Sequence, residues 1–181
     1  PPAESVASIN THDMPTFAGF WSAKDVDDRL EQELLDEAGA ERERATRARM
    51  REALTRFLKA RRLLPSDASD TLAVLDAVLA FLAGSDAELV LVNLEDLWLE
   101  GEPQNVPGVP DKSWRRRFRL GLEEAAADGA VVRMLRNVNQ KRRQADGNQK
   151  EEGLDRGAAR SRGRDSEKEE GRHEEENRRP A

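Results

Sequence analysis

One continuous apolar run, Leu89-Val90-Leu91-Val92-Asn93-Leu94, constrains this chain more than any other stretch. A strand that faces water on one side alternates apolar and polar residues. An unbroken run means burial on both faces, the habit of parallel strands covered by helices. Ser5 to Asn10 supplies a second strand candidate through Val6 and Ile9, a weaker apolar pattern at the opposite end of a helical interval.

The interval reads as follows. Phe17, Phe20 and Trp21 form an aromatic cluster around Gly19, best taken as an anchor for the next segment in the core. From Asp25 onward, Val26, Leu30, Leu34 and Leu35 recur at helical spacing, and Gly39 is expected to end that helix. A second helix is expected from about Glu41 to Arg62, with Met50, Leu54, Phe57 and Leu58 as its stripe. Its Glu41, Arg42, Glu43, Arg44, Arg47, Arg49 and Arg51 read as a solvated face of i to i+4 pairs. Pro65 to Asp70 is a break that ends in capping residues. Leu72, Leu75, Val78, Leu79 and Leu82 then make the most regular stripe in the chain, to stop near Gly84. That helix is too short, and too interrupted by Asp76, to span a membrane.

Past the apolar run come Glu95 and Asp96, then a loop stiffened by proline and glycine, Glu102-Pro103-Gln104-Asn105-Val106-Pro107-Gly108. Trp114-Arg115-Arg116-Arg117-Phe118 is expected to open a last helix, continued by Leu120, Leu122, Val131, Val132, Leu135 and Val138 with a break at Asp128-Gly129. Trp114 and its three arginines are expected to pack and pair on that helix rather than to bind nucleic acid. The order strand, helices, strand, loop, helix describes two βα units of an α/β fold.

Composition separates this segment, residues 1–139, from the remainder. Residues 140–181 hold Leu154 as their one large apolar residue and mix both charge signs, so they cannot offset the entropy of ordering and are expected to be a tail that is disordered or at most transiently helical. The basic pieces Arg160-Ser161-Arg162-Gly163-Arg164 and Arg178-Arg179 are interleaved with acids, and the net charge of -6 argues against a general nucleic-acid binder. A charged fraction of 36% and a mean hydropathy of -0.81 fit a chain of which only part builds a core. Without cysteine there are no disulfides or thiolate metal sites, and with His12 and His173 as the only histidines a multi-histidine metal site is ruled out. No cofactor is expected. Pro1-Pro2-Ala3-Glu4 carries no signal pattern or initiator methionine, and the chain reads as a piece of something longer.

The chemistry-bearing stretch is Ile9-Asn10-Thr11-His12-Asp13-Met14-Pro15-Thr16, where the first strand runs into a polar triplet and a proline turn. A histidine beside a carboxylate at a strand's C-terminal end is where β/α barrels place their chemistry. The plainer alternative is a capped turn, because Thr and Asp are both good helix N-caps. Residues alone leave both open.

Several separated stretches together resemble a family. Asn10 to Thr16 with Ala18-Gly19-Phe20-Trp21, then Val92-Asn93-Leu94-Glu95-Asp96-Leu97, Glu102 to Gly108 and Trp114-Arg115-Arg116-Arg117 are similar, in order and spacing, to the C-terminal part of the 4-alpha-glucanotransferases. These are the amylomaltases, or disproportionating enzymes, of glycoside hydrolase family 77. The resemblance covers about residues 5 to 139. It implies the C-terminal part of a (β/α)8 (TIM-type) barrel with a mostly helical insertion, acting without cofactor on α-1,4-glucans and maltooligosaccharides. The implied setting is cytoplasmic, with neither nucleic acid nor membrane as partner.

The reaction implied is retaining transfer of a glucan segment to the 4-hydroxyl of an acceptor. Family members use an aspartate nucleophile, a glutamate acid/base and a second aspartate that steadies the transition state. Asp13 matches the last of these and His12 its neighbour. Asn105, Pro107 and Gly108 match the family's asparagine-proline-glycine loop near the sugar cleft, with Gln104 as a further contact, and a purely structural turn is the alternative kept beside that reading. Gly108 is followed by Val109 where the family usually has threonine. The nucleophile and acid/base have no match in this chain, so the fragment alone is expected to be inactive. The alternative kept beside this reading is a non-catalytic helical interaction module with a charged tail.

Overall fold

The computed structural model describes residues 2–147. The chain divides between Arg142 and Arg143, and the elements that follow lie before that division except for residues 143–147. Strand β1 (Val6–Ser8) is followed by helices α1 (Phe17–Ser22), α2 (Lys24–Glu31), α3 (Glu37–Ala60) and α4 (Thr71–Ala83). Strand β2 (Leu89–Leu91) leads into a single helical turn, α5 (Leu94–Leu97), a 3₁₀ turn at Pro110–Lys112 and helix α6 (Leu122–Ala127). Helical backbone then covers 129–147, so the first eight residues of the expected charged tail, 140–147, are helical; the expectation of disorder for 148–181 lies outside the described residues.

The two strands pair in parallel, with Val6 opposite Leu89, Ala7 opposite Val90 and Ser8 opposite Leu91. The helical crossover expected between them is therefore present as α1 to α4. Burial on both faces is not: Val6, Leu89 and Leu91 are exposed, and Ala7 is the buried member of the pair. The core lies instead among the helices. Val74, Leu75 and Leu79 of α4, Leu58 of α3, Leu97 of α5 and Met134 are fully buried, joined by Phe17, Trp21 and Trp98. Phe17 and Trp21 stack at 5.6 Å, which bears out their reading as an anchor.

Three local expectations are corrected. Gly39 does not end a helix. Asp36 caps α3, its carboxylate accepting from the Gly39 backbone N–H at 2.7 Å, while α2 ends earlier, with Glu33 in the left-handed region at φ 56°. The basic face of α3 does not pair mainly along its own helix. Arg47, Arg44 and Glu43 reach across to Asp25, Asp27 and Arg29 of α2, with Arg47–Asp25 a two-pronged pair at 2.8 and 3.0 Å. Trp114 to Phe118 does not open a helix. This stretch is irregular and Trp114 itself has φ 59°. By contrast α4 starts after its Asp70 cap and stops at Gly84 as read.

Candidate functional site

The site forms where the ends of β1 and β2 meet. Asn10, buried just past β1, donates from Nδ2 to Asp96 Oδ2 at 3.0 Å and to the Pro15 carbonyl at 3.1 Å. The side-chain oxygen of Asn10 accepts from Asn93, two residues past the end of β2. Asp96 is 2% exposed, and its second oxygen accepts the Phe17 backbone N–H at 2.7 Å. One buried carboxylate thus fastens both ends of the loop between β1 and α1. Burial pushes the Asp96 carboxyl above its ordinary range, with the bonds from Phe17 and Asn10 opposing that shift.

This clamp displays Thr11, His12 and Asp13 on a turn closed by the Met14 N–H donating to the Thr11 carbonyl at 3.0 Å. Thr16, not Thr11 or Asp13, caps α1: its hydroxyl accepts from Gly19 at 3.1 Å. The capped-turn alternative for the triplet therefore gives way. His12 and Asp13 side chains are 64% and 55% exposed, with His12 Nε2 lying 3.4 Å from Asp13 Oδ2. The other Asp13 oxygen accepts from Asn105 Nδ2 at 2.5 Å, a contact between residues 92 apart in sequence.

Asn105 is held by a loop with its own internal bonds. The Val109 N–H donates to the Val106 carbonyl at 3.0 Å, with Gly108 at φ 82°, which is the turn that Pro107 followed by glycine favours. Ser113 Oγ accepts from the Val106 N–H at 3.1 Å and lies 3.0 Å from the carbonyl oxygens of Val106 and Val109. The Trp114 N–H donates to the Gln104 carbonyl at 2.6 Å, and the Gln104 side-chain amide nitrogen is buried without a partner among the described residues. Trp114 lays its indole beside His12, ring centres 5.7 Å apart. Lys24 ties the loop's start to α2 through Glu102 at 2.8 Å, a bond that holds the Glu102 carboxyl below its ordinary range.

Of the sequence-picked residues, the structure joins His12, Asp13 and Asn105 directly. Gln104 enters through its backbone, and Pro107 shapes an exposed turn. Glu95 and Asp96 belong to a helical turn rather than to the strand end expected of them. Glu95 is half-buried, its carboxyl raised by burial and by Asp96 beside it. Sequence reasoning missed Asn10, Asn93 and the clamping role of Asp96, for which the signal was amide and acid side chains at both strand ends. Among the described residues no cluster of three or more His, Asp or Glu is placed to hold a metal ion, and no helix is long and apolar enough to cross a membrane.

A carboxylate fixed by an amide, beside an imidazole and an indole, is a donor and acceptor set suited to a polyhydroxylated ligand. The sequence model of glycoside hydrolase family 77, described as 4-alpha-glucanotransferase, matches residues 1–123. Among solved structures, the fold is similar to that of the amylomaltase from Corynebacterium glutamicum, with a TM-score of 0.65 at 19% identity. The match covers 74% of this chain and 21% of that chain, so the present sequence spans about a fifth of the length of the enzyme it resembles.

Proposed function

We propose, from the premise that this chain belongs to the 4-alpha-glucanotransferase family of glycoside hydrolases, that it carries the transition-state-stabilising half of a retaining glucan-transfer site. The reaction moves a segment of a 1,4-α-glucan to the 4-hydroxyl of another glucan or of glucose, in cytoplasmic maltooligosaccharide metabolism. In this reading β1 and β2 are neighbouring strands of a (β/α)8 barrel and α1 to α4 are a helical insertion between them. Their parallel pairing supports it.

One observation carries the assignment: the hydrogen bond from Asn105 to Asp13. Two stretches that sequence resemblance singled out separately meet at the atoms that would act. As the glycosidic bond breaks, the sugar ring flattens and gains oxocarbenium character, and hydrogen bonds to its hydroxyls strengthen. Asp13 supplies a fixed acceptor for such hydroxyls because the Asn105 amide holds one oxygen while the other stays open beside His12. His12 donates to a neighbouring hydroxyl. The Asn10–Asp96–Phe17 clamp keeps the loop from relaxing, and a carboxylate already in place costs no reorganisation when charge develops.

The nucleophile and acid/base must stand about 5 to 5.5 Å apart across the scissile bond in a retaining enzyme. Asp96 is spent on Asn10 and Phe17, and Glu102 on Lys24. Because the family resemblance matches neither catalytic carboxylate within this sequence, we assign both to strands of the complete protein other than these two. The purified chain should show no disproportionation of maltotriose, and activity there would overturn that assignment. In the complete protein that carries this segment, Asp13→Asn should lower kcat at least about a hundredfold with little change in stability. A variant that turns over normally would remove Asp13 from the mechanism.

A further inference from the structure

Trp114 is the residue that the expected packing role leaves unexplained. It is 65% exposed, while the other two tryptophans of the chain, Trp21 and Trp98, are 6% and 7% exposed. An indole is among the largest apolar surfaces a side chain can offer, and leaving it in water forgoes that burial. Nor is it a loose side chain on a loose loop. A tryptophan at φ 59° sits in a backbone region that costs of order 1 kcal/mol or more for any residue with a Cβ, and it persists only where surrounding bonds over-determine it. Those bonds are present: Trp114 N–H to Gln104, and Ser113 tied to Val106 and Val109. The loop fixes the indole beside His12, on the same loop whose Asn105 grips Asp13.

A glucosyl ring has an apolar face of C–H bonds and an edge of hydroxyls. The first suits an aromatic surface, since the ring's negative face attracts the slightly positive C–H hydrogens. The second suits an acid, an imidazole and an amide. Trp114 supplies the one surface and His12, Asp13 and Asn105 the other, and the amide nitrogen of Gln104, without a partner among the described residues, lies in the same loop.

We propose that Trp114 is an aromatic platform on which a glucosyl ring of the bound α-1,4-glucan stacks, next to the sugar held by Asp13. The proposal rests on the glucan reading of the site. It makes Trp114 a binding residue rather than a packing residue, and it makes the strained backbone the device that presents it.

Because the other two indoles are buried, acrylamide quenching of tryptophan fluorescence in the 181-residue chain, at a concentration below that at which it scatters light and with its helical signal present, reports Trp114 almost alone. Saturating maltoheptaose should bring quenching down to the level of the two buried tryptophans. Calorimetry should give Trp114→Ala about tenfold weaker maltoheptaose binding, the order of one aromatic stacking contact, with Trp114→Phe restoring most of it. Heat of maltoheptaose binding with Trp114 still fully open to quencher overturns the platform and leaves the glucan reading standing. Absence of both heat and protection overturns the two together. Protection by a single-stranded oligonucleotide in place of maltoheptaose overturns the platform in favour of base stacking.

Discussion

Asp96 does the most at the scale of single residues, although it touches no substrate in the proposed reaction. Its two oxygens accept from Phe17 N–H and Asn10 Nδ2, and Asn10 cannot turn its amide without losing the bond from Asn93. Asp96→Asn would keep one acceptor for Phe17 and set an NH₂ against the NH₂ of Asn10. The expected cost is about 1–3 kcal/mol, the penalty of a buried donor left unsatisfied, read as a lower denaturant midpoint. The pH dependence has a definite sign. Burial raises the Asp96 carboxyl in the folded chain, so the native state binds the proton more tightly than the unfolded state does. Its contribution to stability is complete below the unfolded carboxylate value and is lost as pH rises through the raised folded one. Comparing midpoints of wild type and Asp96→Asn from acid to neutral pH should show that loss in the first and not in the second. An identical slope in both would assign the pH dependence to other groups.

Helix α3 shows how an element is held by a neighbour rather than by its own stripe. Met50 and Phe57 of the expected stripe are exposed, Leu54 is half-buried and Leu58 alone is fully buried. Of the α3 side chains that reach across to α1 and α2, Arg47 is the most enclosed. It grips Asp25 with both nitrogens, donates to the Phe20 carbonyl at 2.7 Å and lies 3.8 Å over the Phe20 ring. Lysine can reproduce the charge but not the planar fork or the stacking. Arg47→Lys should destabilise by about 1–2 kcal/mol, more than Arg44→Lys at the more exposed Asp27 pair; equal losses in thermal melts would refute the ranking. At the loop, Glu102 is held below its ordinary range by Lys24, so that bond is present above the unfolded value and lost as pH falls through the folded one. Protection factors over residues 102–114, taken against the intrinsic exchange rate at each pH, should therefore fall in acid, and exchange at neutral pH should quicken in Glu102→Gln. What sequence disclosed at this scale was whatever was encoded locally. Asp70 and Gly84 bound α4 because cap and stop lie within one turn of it. Gly39 misled because a glycine fits a helix start as well as a helix end, and Asp36 decides which. Trp114 to Phe118 lacks any local breaker, and the bond that keeps it from helix runs to Gln104, ten residues back. The Asp13–Asn105 contact spans 92 residues, so no local pattern announces it, and only the family resemblance put both residues on one list of suspects.

Across the described residues of the larger unit, the core and the sheet are stabilised very unequally. The helices bury Leu58, Val74, Leu75, Leu79, Leu97 and Met134 completely, whereas a two-strand parallel ladder leaves Val6, Leu89 and Leu91 each more than half exposed. Two strands are fewer than a sheet needs for stability of its own, and their open edges with apolar side chains are templates for pairing with other chains. The apolar run that constrains the fold most in sequence is thus the surface least satisfied in the structure, because continuous strands are built for cover on both faces. The consequence is a concentration-dependent one. The chain in isolation should scatter light increasingly with concentration, bind an apolar dye and melt broadly. Leu89→Thr with Leu91→Thr should suppress scattering and dye binding while keeping strand propensity, since threonine is β-branched and these side chains contribute little buried area to lose. The same pair should leave the stability of the helical core within about 0.5 kcal/mol, as for surface positions generally. A sharp, cooperative melt of the wild-type chain at every concentration would mean that the exposed strand face is no liability. A double variant that loses helical signal would mean that the strands support the core far more than their burial implies.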